Sequence, residues 1–268
     1  MRLHLPDLAA TIERRILINY RVDPAVAQTL LPASLRPQLV DGSAVAGVCL
    51  IRLGTLRPAA LVCLPLGWHA ENAAHRIAVE WNDSDGTLRT GVYIPERHTA
   101  SWLAVAAGER LFPGIHHHAH FATDESPTRL RVNMTSASTS VSADVLVAAE
   151  VRVAAEVRVA AARSDAPGAP ENPLFATLAD ASDFFRTAPI GWSPTRTGAL
   201  QGLALSTSRW HLEAATPVAV TSSFFDALPP GSATLDSAYV MRNIPVIWST
   251  PATAAPTRAA TRRNPAHR

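Results

Sequence analysis

The chain has 268 residues, 47% of them apolar and 17% charged, with a formal net charge of +2. That balance excludes a disordered, collagen-like or coiled-coil body, and a chain this long buries enough surface to fold without disulfides or a structural metal. All 24 basic residues are arginine, so within this sequence chemistry that needs a lysine Schiff base or a phosphate-gripping lysine is excluded.

The predicted elements begin with a strand over Arg15–Val22, where Ile16, Ile18, Tyr20 and Val22 alternate with the more polar set Arg15, Leu17, Asn19 and Arg21. Asp23-Pro24 then opens a short helix, with Asp23 as N-cap, which stops before Pro32. Asp41-Gly42 is a turn before a strand over Ala44–Leu53, and Ala59–Leu66 is a further apolar strand. Arg76–Trp81 and Leu88–Ile94 form a hairpin about Asp83–Gly86. Thr99–Leu111 has helical spacing, with Trp102, Val105, Ala106 and Leu111 available for one face. Strands follow over Ile115–Ala122 and Arg129–Thr135.

Residues Ala148–Val153 and Ala154–Val159 are a perfect six-residue repeat. Two copies do not make a solenoid, and they read as a long strand or hairpin with a solvated charged face. Ser164–Asn172 is a loop, Pro173–Phe185 a helix, and Leu200–Leu212, Val218–Phe224 and Ser237–Trp248 are late strands. There is no βαβ rhythm. The fold class is therefore α+β, a mostly antiparallel, barrel-like sheet with two or three helices.

Four arginines, Arg258, Arg262, Arg263 and Arg268, fall in a Pro/Ala/Thr-rich end without an acid. The rest carries 20 basic and 22 acidic residues, which leaves no nucleic-acid footprint. Residues 1–250 read as one domain and 251–268 as a disordered basic tail. Cys49 and Cys63 lie in apolar runs and read as small buried hydrophobes. Met1–Arg15 lacks a signal-peptide apolar stretch and no apolar run approaches a membrane span, so a cytoplasmic location without membrane contact is expected.

Several stretches together resemble the acetoacetate decarboxylase-like superfamily, closest to its bacterial branch of unknown function. They are Tyr20-Arg21-Val22-Asp23-Pro24 with Leu30-Leu31-Pro32 and Leu35; Trp68-His69-Ala70-Glu71; Gly108-Glu109-Arg110-Leu111-Phe112-Pro113; Trp210-His211; and Pro217–Ser223. The order is collinear over about residues 12–248. The resemblance implies a barrel whose lumen holds a small carbonyl compound. In the decarboxylases a lysine pair follows an aromatic-Pro dipeptide; here Phe112-Pro113 is followed by Gly114-Ile115. The family's first glutamate falls near Gly47 and is also missing. Its second matches Glu71, and its arginine matches Arg14 or Arg15. Schiff-base decarboxylation is therefore not expected, although the pocket can persist with other chemistry in it.

The densest signal is Ile115-His116-His117-His118-Ala119-His120-Phe121. On a strand His116, His118 and His120 share one face, and the mainly apolar set Ile115, His117, Ala119 and Phe121 the other. Three readings stay open: zinc ligation completed by His75, His98 or Glu71; acid–base work by neutral imidazoles; and a structural histidine strand. No HExxH, CxxC, GxSxG, Walker or GxGxxG pattern supports a metal or cofactor. Glu71, in an apolar neighbourhood beside Trp68, would suit a proton donor.

The expected function is thus a cofactor-free enzyme doing proton-transfer chemistry, of lyase, cyclase, dehydratase or isomerase type, on a small β-keto or polyketide-like molecule. Glu71, His116 and His118 are its catalytic candidates. Arg14, Arg15 and Arg21 would hold an anionic group, and Trp68, His120 and Trp210 would touch substrate, although the six tryptophans as a set read as core. The alternatives are a non-catalytic small-molecule-binding barrel and a zinc-dependent hydrolase or lyase. The expected partner is the small molecule; homo-oligomerisation stays open.

Overall fold

The computed structural model describes residues 7–61, 67–108, 112–147 and 173–256. The Ala148–Val159 repeat, the Ser164–Asn172 loop, Cys63, residues 109–111 and the arginines of the tail lie outside them. In chain order the elements are β1 (Leu8–Val22), α1 (Pro24–Thr29), the two-residue strands β2 (Arg36–Pro37) and β3 (Leu39–Val40), β4 (Ser43–Pro58), β5 (Trp68–Asn82), β6 (Leu88–Tyr93), β7 (Glu96–Thr99), α2 (Trp102–Ala107), β8 (Ile115–Glu125), β9 (Arg129–Ser136), β10 (Ser140–Val147), α3 (Leu178–Arg186), β11 (Ile190–Pro194), β12 (Leu200–Ser206), β13 (Glu213–Ser222), α4 (Ser223–Asp226) and β14 (Ala233–Ser249).

All described strands belong to one sheet, antiparallel except for the β6–β11 and β7–β8 pairs. The sheet closes on itself twice. One circuit runs β5–β7–β8–β9–β10–β13–β14–β1–β4 and returns to β5; the other runs β5–β6–β11–β12–β14–β1–β4 and also returns to β5. The four longest strands, β14, β1, β4 and β5, are therefore a wall common to both circuits. Such closure removes the free edges that an open sheet of this size would expose.

The shared wall explains the burial pattern. Ile16, Ile18 and Tyr20 face the first circuit with Val132, Met134 and Val141; Leu17 and Cys49 face the second with Leu203 and Met241. The strand expected over Arg15–Val22 starts at Leu8, and the middle of its more polar face is buried too: Leu17 and Asn19 have no exposed surface, while Arg15 and Arg21 are half-buried. A strand between two cores needs apolar or satisfied residues in both phases.

The local signals near the start hold. Asp23 Oδ1 accepts from the backbone N–H groups of Ala25 and Val26, with Pro24 in the first turn of α1. Other expectations need correction. β4 runs on to Pro58 and is followed by a 3₁₀ turn over Ala59–Leu61, not a strand. The helix expected from Pro173 starts at Leu178, where Thr177 and Asp180 form a reciprocal capping box. The strand expected over Leu200–Leu212 ends at Ser206, and Phe224 belongs to α4. In α2, Trp102 is 68% and Leu103 75% exposed, so the helix buries its Ala104 side and leaves Trp102 stacked on His118. Among the described residues no helix is long and apolar enough to cross a membrane.

Candidate functional site

The second circuit encloses a cavity of about 580 Å³. Its floor is set by strand register. Leu17, Cys49, Ala74, Arg97 and His116 lie opposite one another across β1, β4, β5, β7 and β8. One pairing step to one side are Arg15 and Ile51; one step to the other are Asn19, Gly47 and Arg76. Strand neighbours in register present their side chains to the same face, so Arg15, Arg76, Arg97 and His116 converge on one cavity from four strands. Trp68, Phe112, Phe185, Trp210 and Trp248 complete a largely apolar wall.

Arg15, Arg76 and Arg97 have no carboxylate partner among the described residues. Arg15 donates from Nε to Cys49 Sγ at 2.9 Å and points Nη1 at Met241 Sδ, 3.9 Å away. Arg76, 3% exposed, donates to Asn19 Oδ1, stands 4.8 Å above the Phe185 ring, and leaves Nε without an acceptor. Gly47 stands between Asn19 and Arg76 in the cross-strand row and puts no side chain between them; a Cβ there would clash with Ile18 O. Arg97 donates to Pro113 O at 2.8 Å and to Ser193 Oγ at 3.4 Å. None of the described lining residues is Asp or Glu, and Arg186, also on the lining, pairs outward with Asp183. Burial lowers both Arg76 and Arg97 to about 10; the Arg15 charge adds to this at Arg76. Arg76 and Arg97 remain cations at neutral pH, and a buried cation without counter-charge is costly in the absence of an anion.

His116 stands at the end of the same row. Its Nδ1 is 2.9 Å from Gly114 O, and because a carbonyl only accepts, Nδ1 carries the hydrogen and Nε2 the lone pair. Burial, then the Arg97 charge, lowers His116 to about 4 against the opposing pull of the Gly114 bond, so the ring is neutral near pH 7. Gly114 sits at φ +102°, and a Cβ there would come within 2.7 Å of the Ser193 Cβ. Glycine is what lets the start of β8 approach β11 at this point.

Of the residues singled out from the sequence, Arg15, Trp68, His116 and Trp210 line this cavity. Trp210 is held by a bond from Nε1 to Ser182 Oγ at 2.9 Å. Glu71 and Arg14 face the other circuit: Arg14, Arg52 and Glu71 form a cross-strand row, and Glu125 of β8 closes it. Glu71 accepts from Arg14 at 2.5 Å and from Arg52 at 2.6 Å. It is an ion-paired carboxylate, not the isolated one in apolar surroundings expected from its neighbours in sequence. Arg21 is bound to Asp236 at 3.1 Å, beyond a register shift at Asn19/Tyr20 that separates it from Arg15. His118 stacks on Trp102 and meets His120 edge-on at 5.3 Å, both away from the cavity. Among the described residues no group of three His, Cys, Asp or Glu is placed to hold a metal.

Sequence reasoning missed Arg76, Arg97 and Asn19. The one available signal was phase: Asn72, Ala74 and Arg76 share the β5 face that meets Cys49 and Ile51 on β4. Cys49 was legible as buried but not as a cavity residue.

A family model described as an uncharacterized conserved protein, DUF2071, matches residues 9–227. No curated protein matches the sequence. Solved structures share the fold. The enduracididine biosynthesis enzyme MppR, complexed with pyruvate, is 14% identical with a TM-score of 0.56, covering 97% of this chain and 93% of its own. The acetoacetate decarboxylase from Legionella pneumophila subsp. pneumophila str. Philadelphia 1 is 13% identical with a TM-score of 0.54, covering 93% and 86%. An acetoacetate decarboxylase-like enzyme from Sphingomonas wittichii RW1 is 15% identical with a TM-score of 0.53, covering 95% and 94%.

Proposed function

We propose, for a chain that belongs to the DUF2071 family and has the acetoacetate decarboxylase-like fold, that its cavity binds a small oxo carboxylate with an apolar body and moves a proton beside the carbonyl. The observation that carries this reading is the set of three guanidiniums, Arg15, Arg76 and Arg97, on a cavity with no described acid in its lining. A guanidinium fork suits a carboxylate or an enolate oxygen, and both are worth most where water is excluded. The solved neighbour that carries pyruvate holds a molecule of this class.

The chemistry follows from the chain's own residues. With no lysine in the sequence, an iminium cannot take up the electrons released when a C–H bond beside a carbonyl breaks. They pass to the carbonyl oxygen, and the enolate formed is stabilised by a guanidinium. His116 Nε2, with its lone pair fixed by the Nδ1–Gly114 bond, accepts the proton and returns it to the same carbon or a neighbouring one. Lyase, cyclase, dehydratase and isomerase outcomes can all start from this step. The reading uses cavity-lining residues only and gives no role to Glu71, His118 or His120.

The test is deuterium uptake from D₂O into pyruvate and longer oxo acids, followed by proton NMR. The expected result is protein-dependent exchange that falls about a hundredfold in His116→Gln. A second reading, a binding protein without chemistry, is favoured by the low basicity of His116. It predicts a ligand recovered without deuterium, which would overturn the catalytic reading.

A further inference from the structure

The cavity cations fall into two groups. Arg15 and Arg76 flank Cys49 along the floor, and the Arg15 charge is one of the causes that lower Arg76. The Arg15 guanidinium lies on Cys49 Sγ and Met241 Sδ of the strands beside β1, and that of Arg76 lies on Asn19 Oδ1 of β1 and the Phe185 ring. Arg97 is two strands away from Cys49 in the same row, which is about 10 Å at ordinary strand spacing. Its guanidinium points the other way, to Pro113 O and Ser193 Oγ beside His116. Between the two groups the floor residue is Ala74, whose methyl leaves the space open.

We infer that the ligand of this cavity carries two anionic groups, one at Arg97 and His116 and one at Arg15 and Arg76, joined by an apolar body lying over Ala74. The inference rests on the carboxylate reading above and adds its second anchor. A monoanion at Arg97 would leave Arg15 and Arg76 as neighbouring like charges in an apolar wall, Arg76 with its Nε unbonded. A second carboxylate, or a phosphate in its place, supplies acceptors for both. The apolar body fits the aromatic walls formed by Trp68, Phe185 and Trp210.

Calorimetric titration of the full chain with matched acids tests this. One series runs from succinate to sebacate; the other uses the monocarboxylates of the same carbon count, with phosphonocarboxylates as the phosphate arm. The expected result is a preferred length at which the diacid binds at least tenfold more tightly than its monoacid. Arg15→Gln should bring that diacid to within about twofold of its monoacid, both measured on the same variant. The comparison within wild-type protein needs no variant, so a misfolded Arg15→Gln would not blunt it. Equal affinity of the two series at every length would overturn the two-anchor inference and leave the oxo-acid reading standing, because deuterium exchange reads that separately. Tight diacid binding without exchange would do the reverse. Preference for the phosphonocarboxylate would keep the two anchors and assign the phosphate to the Arg15–Arg76 end.

Discussion

Arg14 and Arg15 are neighbours in the chain and opposites in the fold. Arg14 faces the first circuit, 3% exposed, and meets Glu71 and Glu125, with Arg52 bridging the same two carboxylates. Arg15 faces the second and, among the described residues, meets a thiol and a thioether. In one circuit Arg14 and Arg52 are answered by Glu71 and Glu125. In the other, Arg15, Arg76 and Arg97 have no carboxylate partner among the described residues. Buried pairs hold a fold together, whereas unpaired buried cations cost stability and are kept where a ligand completes them.

The largest expected effect lies in the paired set. Arg14→Met removes one of two cations from a cluster with two carboxylates and should cost about 3 kcal/mol in urea unfolding. Binding of a carboxylate in the cavity, by contrast, should change by less than twofold. Next comes Arg97→Gln, which should weaken carboxylate binding by about thirtyfold or more in calorimetry, with unfolding little changed. An equal loss of affinity in the Arg14 and Arg97 variants would erase the distinction between the two faces.

This contrast was half legible in the sequence. The alternation around Arg15–Val22 and the phase of His116 were readable, because period-two patterns survive in strands. Which phase faces a cavity was not. The shared wall buries both faces of β1, β4 and β5, so polarity no longer marks inside from outside. Glu71 drew attention because its near neighbours are apolar, but its partners Arg14 and Arg52 come from two other strands. Arg76 and Arg97 stand in ordinary-looking strand segments, and only the register of β4, β5 and β7 brings them together. Trp102 shows the reverse error: it reads as core with the other tryptophans, yet the short helix α2 turns it outward.

Acid sharpens the comparison further. Burial, then the charge of His98, pushes His75 down to about 3; burial lowers His98 to about 4. Both rings are neutral in the fold and protonate more readily when unfolded, near 6.5. Their contribution is complete above that value and is lost as pH falls toward 4 and 3. His75→Phe, which keeps the stack on Phe224, should flatten the pH dependence of unfolding between pH 6 and 4. A slope as steep as wild type would show that other groups dominate. The smallest effect concerns His116. An anion on Arg97 cancels part of the charge that lowers His116, so its pKa rises on binding and protons are taken up as pH falls below 6. Calorimetry in buffers of different ionisation enthalpy reads that uptake, which His116→Gln should abolish.

The most direct measurement is the stability of Arg15→Met beside Arg14→Met, each with and without a cavity-binding carboxylate. Without ligand, Arg15→Met should be as stable as wild type or more so, by about 1 kcal/mol, because a half-buried cation with no carboxylate partner among the described residues is exchanged for an apolar side chain. With ligand at saturation, wild type should gain stability and Arg15→Met should gain less. A loss in Arg15→Met matching that in Arg14→Met would contradict the account, since both arginines would then be structural.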